Sequence, residues 1–178
     1  KPGDSVLVLG SGGVSLFALQ FAKAAGATVI ATSSTPDKLE RLKALGADHV
    51  INHREVEQWG EAAAALTPRG VDHVIEVGGP QTMPQSLAAV RSGGHVAVIG
   101  AVGGFAVDTM PFAVVQAKRL RLQGVTVGSR RDQTDMIRGI EATDIRPVLD
   151  RSFALADLAA ALRHLDSGAH FGKICIEI

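Results

Sequence analysis

The chain has 178 residues, 46% of them hydrophobic, and its 18 basic and 18 acidic side chains leave no formal net charge. This composition suits one domain with a buried core, or one domain and part of another, and it excludes a disordered chain. The even charge disfavours nucleic acid as a partner, and the single cysteine excludes a disulfide framework or a multi-cysteine zinc site.

The start of the chain is a polar stretch, residues 1–4, that predicts a turn leading into a strand. No signal peptide precedes it, and no apolar run approaches the roughly 20 residues that a membrane span needs. We therefore expect a cytoplasmic protein with no membrane partner. Because the first residue is Lys1 and not Met, we also expect part of a longer protein, divided at a domain boundary.

A strand, a glycine-rich turn and a helix follow one another in residues 5–25. The apolar run at 6–9 predicts the strand, and apolar side chains that share one helical face between Val14 and Ala25 predict the helix. This order is typical of the phosphate-binding start of a dinucleotide fold, which has the pattern G-x-G-x-x-G.

The glycines of this turn have separate predicted roles. Gly10 makes the tight turn, and Gly12 lets the backbone approach a pyrophosphate. Gly13 and Val14 begin the helix, whose free N–H groups and dipole attract phosphate. Ser15 stands where the third glycine of the pattern is usual, and we expect its side chain to affect packing more than phosphate contact.

The rest of the chain alternates predicted strands and helices. The strands are predicted at 28–32, 49–51, 72–77, 95–99 and 120–127, and the helices at 35–45, 55–66, 81–91 and 111–118. This alternation indicates parallel pairing with right-handed crossovers, and strands that are apolar on both faces indicate a sheet covered on both sides. The predicted fold is α/β, a doubly wound six-stranded parallel sheet (Rossmann fold) with strand order 3-2-1-4-5-6.

From about Arg146 the alternation changes. A strand at 147–153, a helix at 155–165 and a last strand at 173–178 are predicted there, and they cannot simply extend the six-stranded sheet. We therefore predict a dinucleotide-binding domain over residues 1–145. The C-terminal segment, residues 146–178, is predicted to belong with a neighbouring domain.

In a doubly wound sheet ligands bind at the carboxyl ends of the strands. The second strand ends at Ser33 and Ser34, with no carboxylate to bind the ribose hydroxyls of NAD. These two hydroxyls and the ammonium of Lys38 could hold a 2′-phosphate, or they could form a plain turn with a solvated lysine. We predict NADP as the cofactor, with NAD as the alternative. His53, after the third strand, is a further candidate, although it could be an ordinary loop histidine.

Glycines follow the later strands at the same edge: Gly78, Gly100 and Gly128. Small residues there would leave room for a flat nicotinamide ring, although each could equally be a turn glycine. Glu76 lies at this edge too, and we interpret it as a solvated acid at a strand end, outside the site.

The six histidines show no metal-ligand spacing. His49, His73 and His95 each lie at the amino end of a strand, away from the predicted site, which indicates a surface or packing role. His164 and His170 lie beyond the sheet and carry no functional signal.

Six short stretches, each common alone, form a specific combination: residues 1–4 before Val6, 10–14, 22–27, 38–40, 45–52 and 70–72. Together they resemble the cofactor domain of the medium-chain dehydrogenase/reductase family, which includes zinc-type alcohol dehydrogenases and quinone reductases. The resemblance spans nearly the whole chain. Residues 146–178 are similar to the segment that returns to the catalytic domain in that family.

The resemblance implies hydride transfer between a nicotinamide cofactor and an alcohol or carbonyl compound, or an activated alkene in metal-free quinone and enoyl reductases. It places zinc ligands and proton relay in an upstream domain, so we expect this segment to bind cofactor, to hold no catalytic residue or metal, and to be inactive alone. His53 takes the place of a tyrosine that lies near the 2′-phosphate in related NADPH quinone reductases. The resemblance also implies a small-molecule substrate and a homodimer paired through residues 120–127.

Other classes fit less well. A short-chain dehydrogenase needs a tyrosine, and the chain has none. A methyltransferase would be expected to carry an acid after the second strand. A dinucleotide-sensing module without catalysis stays open as the alternative from a different class.

Overall fold

The computed structural model describes residues 1–100, 102–104 and 111–178. The strands are β1 (Ser5–Leu9), β2 (Thr28–Ser33), β3 (His49–Asn52), β4 (Val71–Glu76), β5 (Val90–Val98), β6 (Arg121–Gly124), β7 (Leu149–Ala154) and β8 (Lys173–Glu177). The helices are α1 (Gly13–Ala24), α2 (Pro36–Ala44), α3 (Trp59–Ala65), α4 (Met83–Ala89), α5 (Phe112–Ala117), α6 (Arg130–Thr143) and α7 (Leu158–Asp166), and a 3₁₀ turn (Leu155–Asp157) precedes α7.

Six parallel strands form one sheet in the order β3-β2-β1-β4-β5-β6. The predicted doubly wound sheet and its strand order are confirmed. The chain leaves β1 toward one edge and returns through β4 toward the other, so the connections after these two strands diverge. This divergence opens a crevice at the carboxyl ends of β1 and β4.

The core consists of two apolar clusters, one on each face of the sheet. β1 contributes to both: Val6 and Val8 pack in the cluster that contains α1 and α2 residues, and Leu7 and Leu9 pack in the cluster beside α3 and α4. Because helices cover both faces, every residue of this strand must be apolar where it meets a helix. The unbroken apolar run in the sequence has this physical cause.

The boundary between α4 and β5 differs from the prediction. The helix ends at Ala89 and the strand begins at Val90, which pairs with Val71 before the register shifts. The ammonium of Lys118 donates to the carbonyl oxygens of Leu87, Ala88 and Val90 at 2.7–3.0 Å. A side chain that is remote in sequence therefore satisfies the helix end, and no local pattern reveals it.

Helix α6 has no counterpart among the predicted elements. It begins at a capping box in which the Asp132 N–H donates to Ser129 Oγ and the Ser129 N–H donates to Asp132 Oδ2. The helix buries none of its residues, although Met136, Ile137 and Ile140 have the spacing of an apolar helical face, a signal that the prediction missed. Two further elements are shorter than predicted. Helix α3 begins at Trp59 instead of residue 55, and strand β6 ends at Gly124 instead of residue 127.

The C-terminal strands β7 and β8 pair in parallel with each other and form a separate two-stranded sheet. They pack beside the glycine turn, where the Gly172 N–H donates to the Ser11 carbonyl oxygen at 2.9 Å. Phe171 is buried in the same apolar cluster as Val6 and Val8. No helix in the described ranges is long and apolar enough to cross a membrane.

Replacement of Lys118 tests its role at the C-terminal end of α4. The Lys118→Met variant keeps the aliphatic stem but removes three partly buried hydrogen bonds to backbone carbonyls, so we expect the free energy of unfolding to fall by about 1–3 kcal/mol. Denaturant unfolding of the protein that carries this chain measures it. Lys43→Met is the matched control, because Lys43 pairs with Glu40 at the surface. Its loss should lower the free energy of unfolding by less than about 1 kcal/mol. Equal losses in the two variants would contradict the assignment.

Candidate functional site

A cavity of about 690 Å³ lies at the carboxyl ends of the parallel strands, where the chain diverges after β1 and β4. The structure brings ten of the eleven predicted site residues to its wall. They are Gly10, Gly12, Gly13, Val14, Ser33, Ser34, Lys38, His53, Gly78 and Gly100.

The glycine turn after β1 forms the floor of this cavity. Gly10 has a φ of +75°, a left-handed conformation that glycine adopts without strain, and its N–H donates to the Thr32 carbonyl oxygen at 2.9 Å. A β-carbon added to Gly12 would meet no protein atom within 4 Å. A side chain there would therefore project into open space beside the start of α1. Gly12 also provides no side-chain cap, which leaves the first N–H groups of the helix for an anion.

Ser15 joins α1 to β1. Its side chain is buried, and its hydroxyl donates to the Leu9 carbonyl oxygen at 2.5 Å. The substitution of the third motif glycine therefore affects the packing of helix on strand, as predicted, and adds a hydrogen bond at the end of β1.

The residues after β2 and β3 form one end of the cavity. Ser33 is buried and Ser34 half-buried, and the His53 N–H donates to the Ser33 carbonyl oxygen at 3.0 Å. The ammonium of Lys38 donates to the Gly168 carbonyl oxygen at 2.6 Å. Burial lowers the pKa of Lys38 and of His53.

His170 is a site residue that the sequence does not indicate. It lies in the loop between α7 and β8 and lines the same end of the cavity as Lys38. Its Nδ1 is buried without a hydrogen-bond partner among the residues described. Burial is the main cause that lowers its pKa, followed by the positive charge of Lys38. Only the packing of the C-terminal segment on the glycine turn brings His170 here.

Lys173, the first residue of β8, lies over the start of α1. A β-carbon built on Gly13 would come within 2.3 Å of Lys173 Cε and 2.6 Å of Nζ. The glycine thus leaves space for this flexible cation, which brings a positive charge to the helix N-terminus. No pattern around Lys173 in the sequence predicts this position.

The opposite end of the cavity is formed by the loops after β4 and β5. A β-carbon on Gly78 would approach Thr82 Oγ1 to 2.3 Å, and one on Gly100 would approach the Val77 carbonyl oxygen to 2.5 Å. Glycine is therefore required at both positions by close packing. Thr82 itself lines the cavity and is a second residue that the sequence analysis omits.

The prediction that Glu76 is a solvated acid is wrong. Its side chain is fully buried at the end of β4. The carboxylate accepts hydrogen bonds from the N–H groups of Gly78 (2.8 Å) and Gly79 (2.9 Å) and from the hydroxyls of Thr82 (2.6 Å) and Ser86. Because α4 begins beside this turn, the carboxylate joins the helix start to the strand end instead of facing water.

Gly128 is the one predicted site residue that the structure does not bring to this cavity. It lines a separate hollow at the start of α6, together with Ser129 and Arg130. The physical reason is that β6 ends at Gly124, so the chain has already left the sheet edge before Gly128.

Histidines at the amino ends of the strands lie at the opposite edge of the sheet from the cavity. The Nδ1 atoms of His73 and His95 are 3.5 Å apart, and His73 Nε2 lies 3.1 Å from the Asp4 carboxylate. Across the ranges that the structure describes, no three His, Cys, Asp or Glu side chains are grouped so that they could hold a metal ion.

Comparison with known proteins identifies relatives of this arrangement. Residues 13–142 match the family profile of the zinc-binding dehydrogenases. The whole chain is 44% identical to a zinc-type alcohol dehydrogenase-like protein of Schizosaccharomyces pombe, of which it covers 53%. Over 95% of its length it is 31% identical to human quinone oxidoreductase, again covering 53% of that protein. The chain thus spans about half the length of these curated relatives.

Solved structures share the fold over the whole chain. A NAD-dependent alcohol dehydrogenase superposes with a TM-score of 0.92 at 35% identity, and the chain covers 52% of it. A crotonyl-CoA carboxylase/reductase in complex with NADP superposes with a TM-score of 0.88 at 26% identity, with 50% covered. Both nicotinamide cofactors therefore occur among proteins with this fold.

Two histidines that line the cavity, exposed His53 and half-buried His170, predict a dependence of stability on pH. Each has a pKa in the folded state below its ordinary value, so the unfolded chain takes up protons first as the pH falls. Their contribution to stability is complete above about pH 6.5 and is lost as the pH falls below it. We expect the free energy of unfolding to fall between pH 7.5 and pH 5.5, and to fall less in the His53→Gln/His170→Gln double variant than in the wild type. Denaturant unfolding at the two pH values measures this difference. Equal decreases would contradict this.

Proposed function

Because the chain belongs to the medium-chain dehydrogenase/reductase family, we propose that it is the cofactor-binding part of an oxidoreductase that transfers hydride between NADP(H), or NAD(H), and an alcohol or carbonyl compound. The observation that carries the proposal is the cavity at the strand ends, with an open glycine turn and an uncapped helix start as its floor. The chain covers about half of its relatives, so the activity of the whole protein and its small-molecule substrate belong to the proposal.

The floor of the cavity has the properties that a pyrophosphate requires. The N–H groups at Gly12 and Gly13 point from the start of α1, and the helix dipole favours an anion there. The ammonium of Lys173 adds a mobile positive charge beside them. The nicotinamide cofactor, when bound, supplies the hydride chemistry, and the role of these residues is to bind and orient it.

The end of the cavity at β2 and β3 supports NADP over NAD. Three basic side chains line it, those of Lys38, His53 and His170. None of the described residues on the cavity wall is Asp or Glu, the side chains that bind the ribose hydroxyls of NAD. Lys38 uses one proton for the Gly168 carbonyl and keeps two for a phosphate. A 2′-phosphate would thus meet donors and positive charge, together with the hydroxyl of half-buried Ser34.

A metal-free quinone or enoyl reductase is the second candidate. It is supported by the similarity to human quinone oxidoreductase and to the carboxylase/reductase bound to NADP. No residue of this chain is assigned a catalytic role in either case. Zinc ligands, in an alcohol dehydrogenase, would lie in the part of the protein outside this chain. Assay of that whole protein with alcohols and quinones would separate the two enzymes, and cofactor binding without turnover would indicate a sensing module.

The sheet edge at β6 is our candidate for a homodimer interface. In the described ranges β6 pairs on one side with β5 and has no strand on its other side. An edge strand of this kind can pair with a second copy of itself. The strand that would pair is Arg121–Gly124, shorter than the predicted 120–127. The division into domains at 145/146 is likewise a proposal, consistent with the separate sheet of β7 and β8.

The cofactor preference is tested by thermal stabilisation of the protein that carries this chain. A ligand that binds the folded state stabilises it by about 2.7 kcal/mol at a hundredfold excess over Kd. NADPH should raise the melting temperature more than NADH at equal concentration. Lys38→Gln should weaken NADPH binding roughly tenfold, because it removes a charge-assisted hydrogen bond. Lys43→Gln, on the exposed side of α2, should leave it unchanged. Equal or reversed shifts would contradict NADP, and no shift with either cofactor would contradict the site.

The role of Gly12 can be isolated because its φ of −77° suits any residue. Gly12→Ala should fold normally but fill the approach to the backbone, and overpacking of about 1–3 kcal/mol would weaken cofactor binding roughly tenfold or more. Gly139→Ala is the matched control, since a β-carbon there also meets nothing within 4 Å but lies on α6, away from the cavity. Calorimetric titration of both variants with NADPH measures the effect. Unchanged affinity in Gly12→Ala would show that phosphate binds elsewhere.

A further inference from the structure

Glu76 is an unusual side chain for its place in the fold. It is fully buried, and within the ranges that the structure describes it forms no ion pair. Burial of a carboxylate lowers the stability of the folded protein unless the group is paired with a cation or fully hydrogen-bonded. Glu76 is hydrogen-bonded in this way, and no Lys, Arg or His side chain of the described residues forms an ion pair with it.

Two backbone N–H groups and two hydroxyls surround the carboxylate. Oε1 accepts from the N–H groups of Gly78 and Gly79 and from the Thr82 hydroxyl, and Oε2 accepts from the Ser86 hydroxyl. The two backbone N–H groups can only donate, and such hydrogen bonds favour an ionised carboxylate, whereas the two hydroxyls can donate or accept. An ionised Glu76 would place a negative charge behind the turn that follows β4.

This charge lies directly behind the cavity wall. Gly78 and Thr82 both line the cavity and both bind Glu76 through atoms 2.6–2.8 Å from Oε1. The same turn holds the next loop, because the Gly103 N–H donates to the Gly78 carbonyl oxygen at 2.8 Å. One backbone turn and one hydroxyl thus separate the carboxylate from the space enclosed by Gly78, Gly100 and Val102.

The end of the cavity beside Glu76 is the end away from Ser33, Ser34 and Lys38. A dinucleotide that places its ribose phosphate at the end of β2 lies across the strand ends, so its second half reaches the loops after β4 and β5. The nicotinamide ring is then the group nearest to Glu76. This ring carries a positive charge in the oxidised cofactor and none in the reduced cofactor.

We propose that Glu76 makes the site favour the oxidised cofactor, because its buried carboxylate attracts the positive nicotinamide ring and has no such attraction for the reduced ring. The inference rests on the proposed function, since it needs a nicotinamide cofactor in this cavity. For a separation on the order of 10 Å and an effective dielectric constant of about 20, Coulomb attraction changes the relative affinity roughly tenfold. Glu76 thus acts through the electric field at the ring, without touching the reacting atoms.

Glu76→Gln removes the charge and keeps the shape. The amide oxygen can take the place of Oε1 and its three donors, and the amide NH₂ can donate to Ser86 Oγ, so the turn is preserved. We expect the ratio Kd(NADP⁺)/Kd(NADPH) of the protein that carries this chain to rise roughly tenfold in this variant. Calorimetric titration with each cofactor measures the ratio, and circular dichroism checks the fold.

Two control variants separate charge from shape. Glu76→Asp keeps the charge but cannot reach all four donors, so both affinities should fall while the ratio stays within about twofold of the wild-type value. Glu61→Gln makes the same chemical change at an exposed position on α3 and should leave the ratio unchanged. A ratio that is unchanged in folded Glu76→Gln, or that rises equally in either control, would overturn the inference.

A further variant covers the case in which Glu76→Gln does not fold. Gln81→Lys places an opposing cation on the exposed side of the same turn, where Gln81 Nε2 now donates to the Gly103 carbonyl oxygen at 3.4 Å. The ratio should rise about twofold, and an unchanged ratio would overturn the inference. Binding of neither cofactor to the wild-type protein would overturn the proposed function itself, which distinguishes the two failures.

Discussion

The cover of helices on both faces of the parallel sheet is the constraint on which the rest of this structure depends. Because neither face of the sheet is free, a ligand can reach the sheet only at the strand ends. At the carboxyl ends of β1, β2 and β4 the strands are followed by short turns rich in glycine, serine or threonine, and these turns meet at one edge. The polar groups of the site are therefore gathered by the topology of the main chain, although they are distant in sequence.

The sequence predicts the parts of the site that adjoin a strand and fails where a contact comes from far along the chain. Gly10, Gly12 and Ser33 could be predicted because each follows a recognisable apolar strand. His170 could not be, because only the docking of the C-terminal segment places it beside Lys38. Glu76 was misjudged for another reason: an acid at a strand end is usually solvated, and here four donors from the following turn enclose it.

The fold shows the same division between local and distant causes. The strand order follows from alternation and handedness, which local patterns reveal. The end of α4 depends on Lys118, a residue of the next crossover, whereas α6 was missed although its capping box and apolar spacing are local signals. Charge is arranged in a comparable way in the cavity, with basic side chains toward β2 and a buried carboxylate behind β4. Under the proposed function, the two halves of the cofactor would therefore experience different fields.

The hydrogen bond from Gly172 to Ser11 has a consequence for the order in which the protein is made. A chain emerging from the ribosome presents its N-terminal residues first, so the glycine turn can form early. Its neighbours Gly168, His170 and Lys173 are synthesised more than a hundred residues later, and closure of that long loop is slow relative to local contacts. The nascent protein thus passes through a stage in which the turn exists without Lys173, and this cation reaches the start of α1 only after residue 173 has been translated.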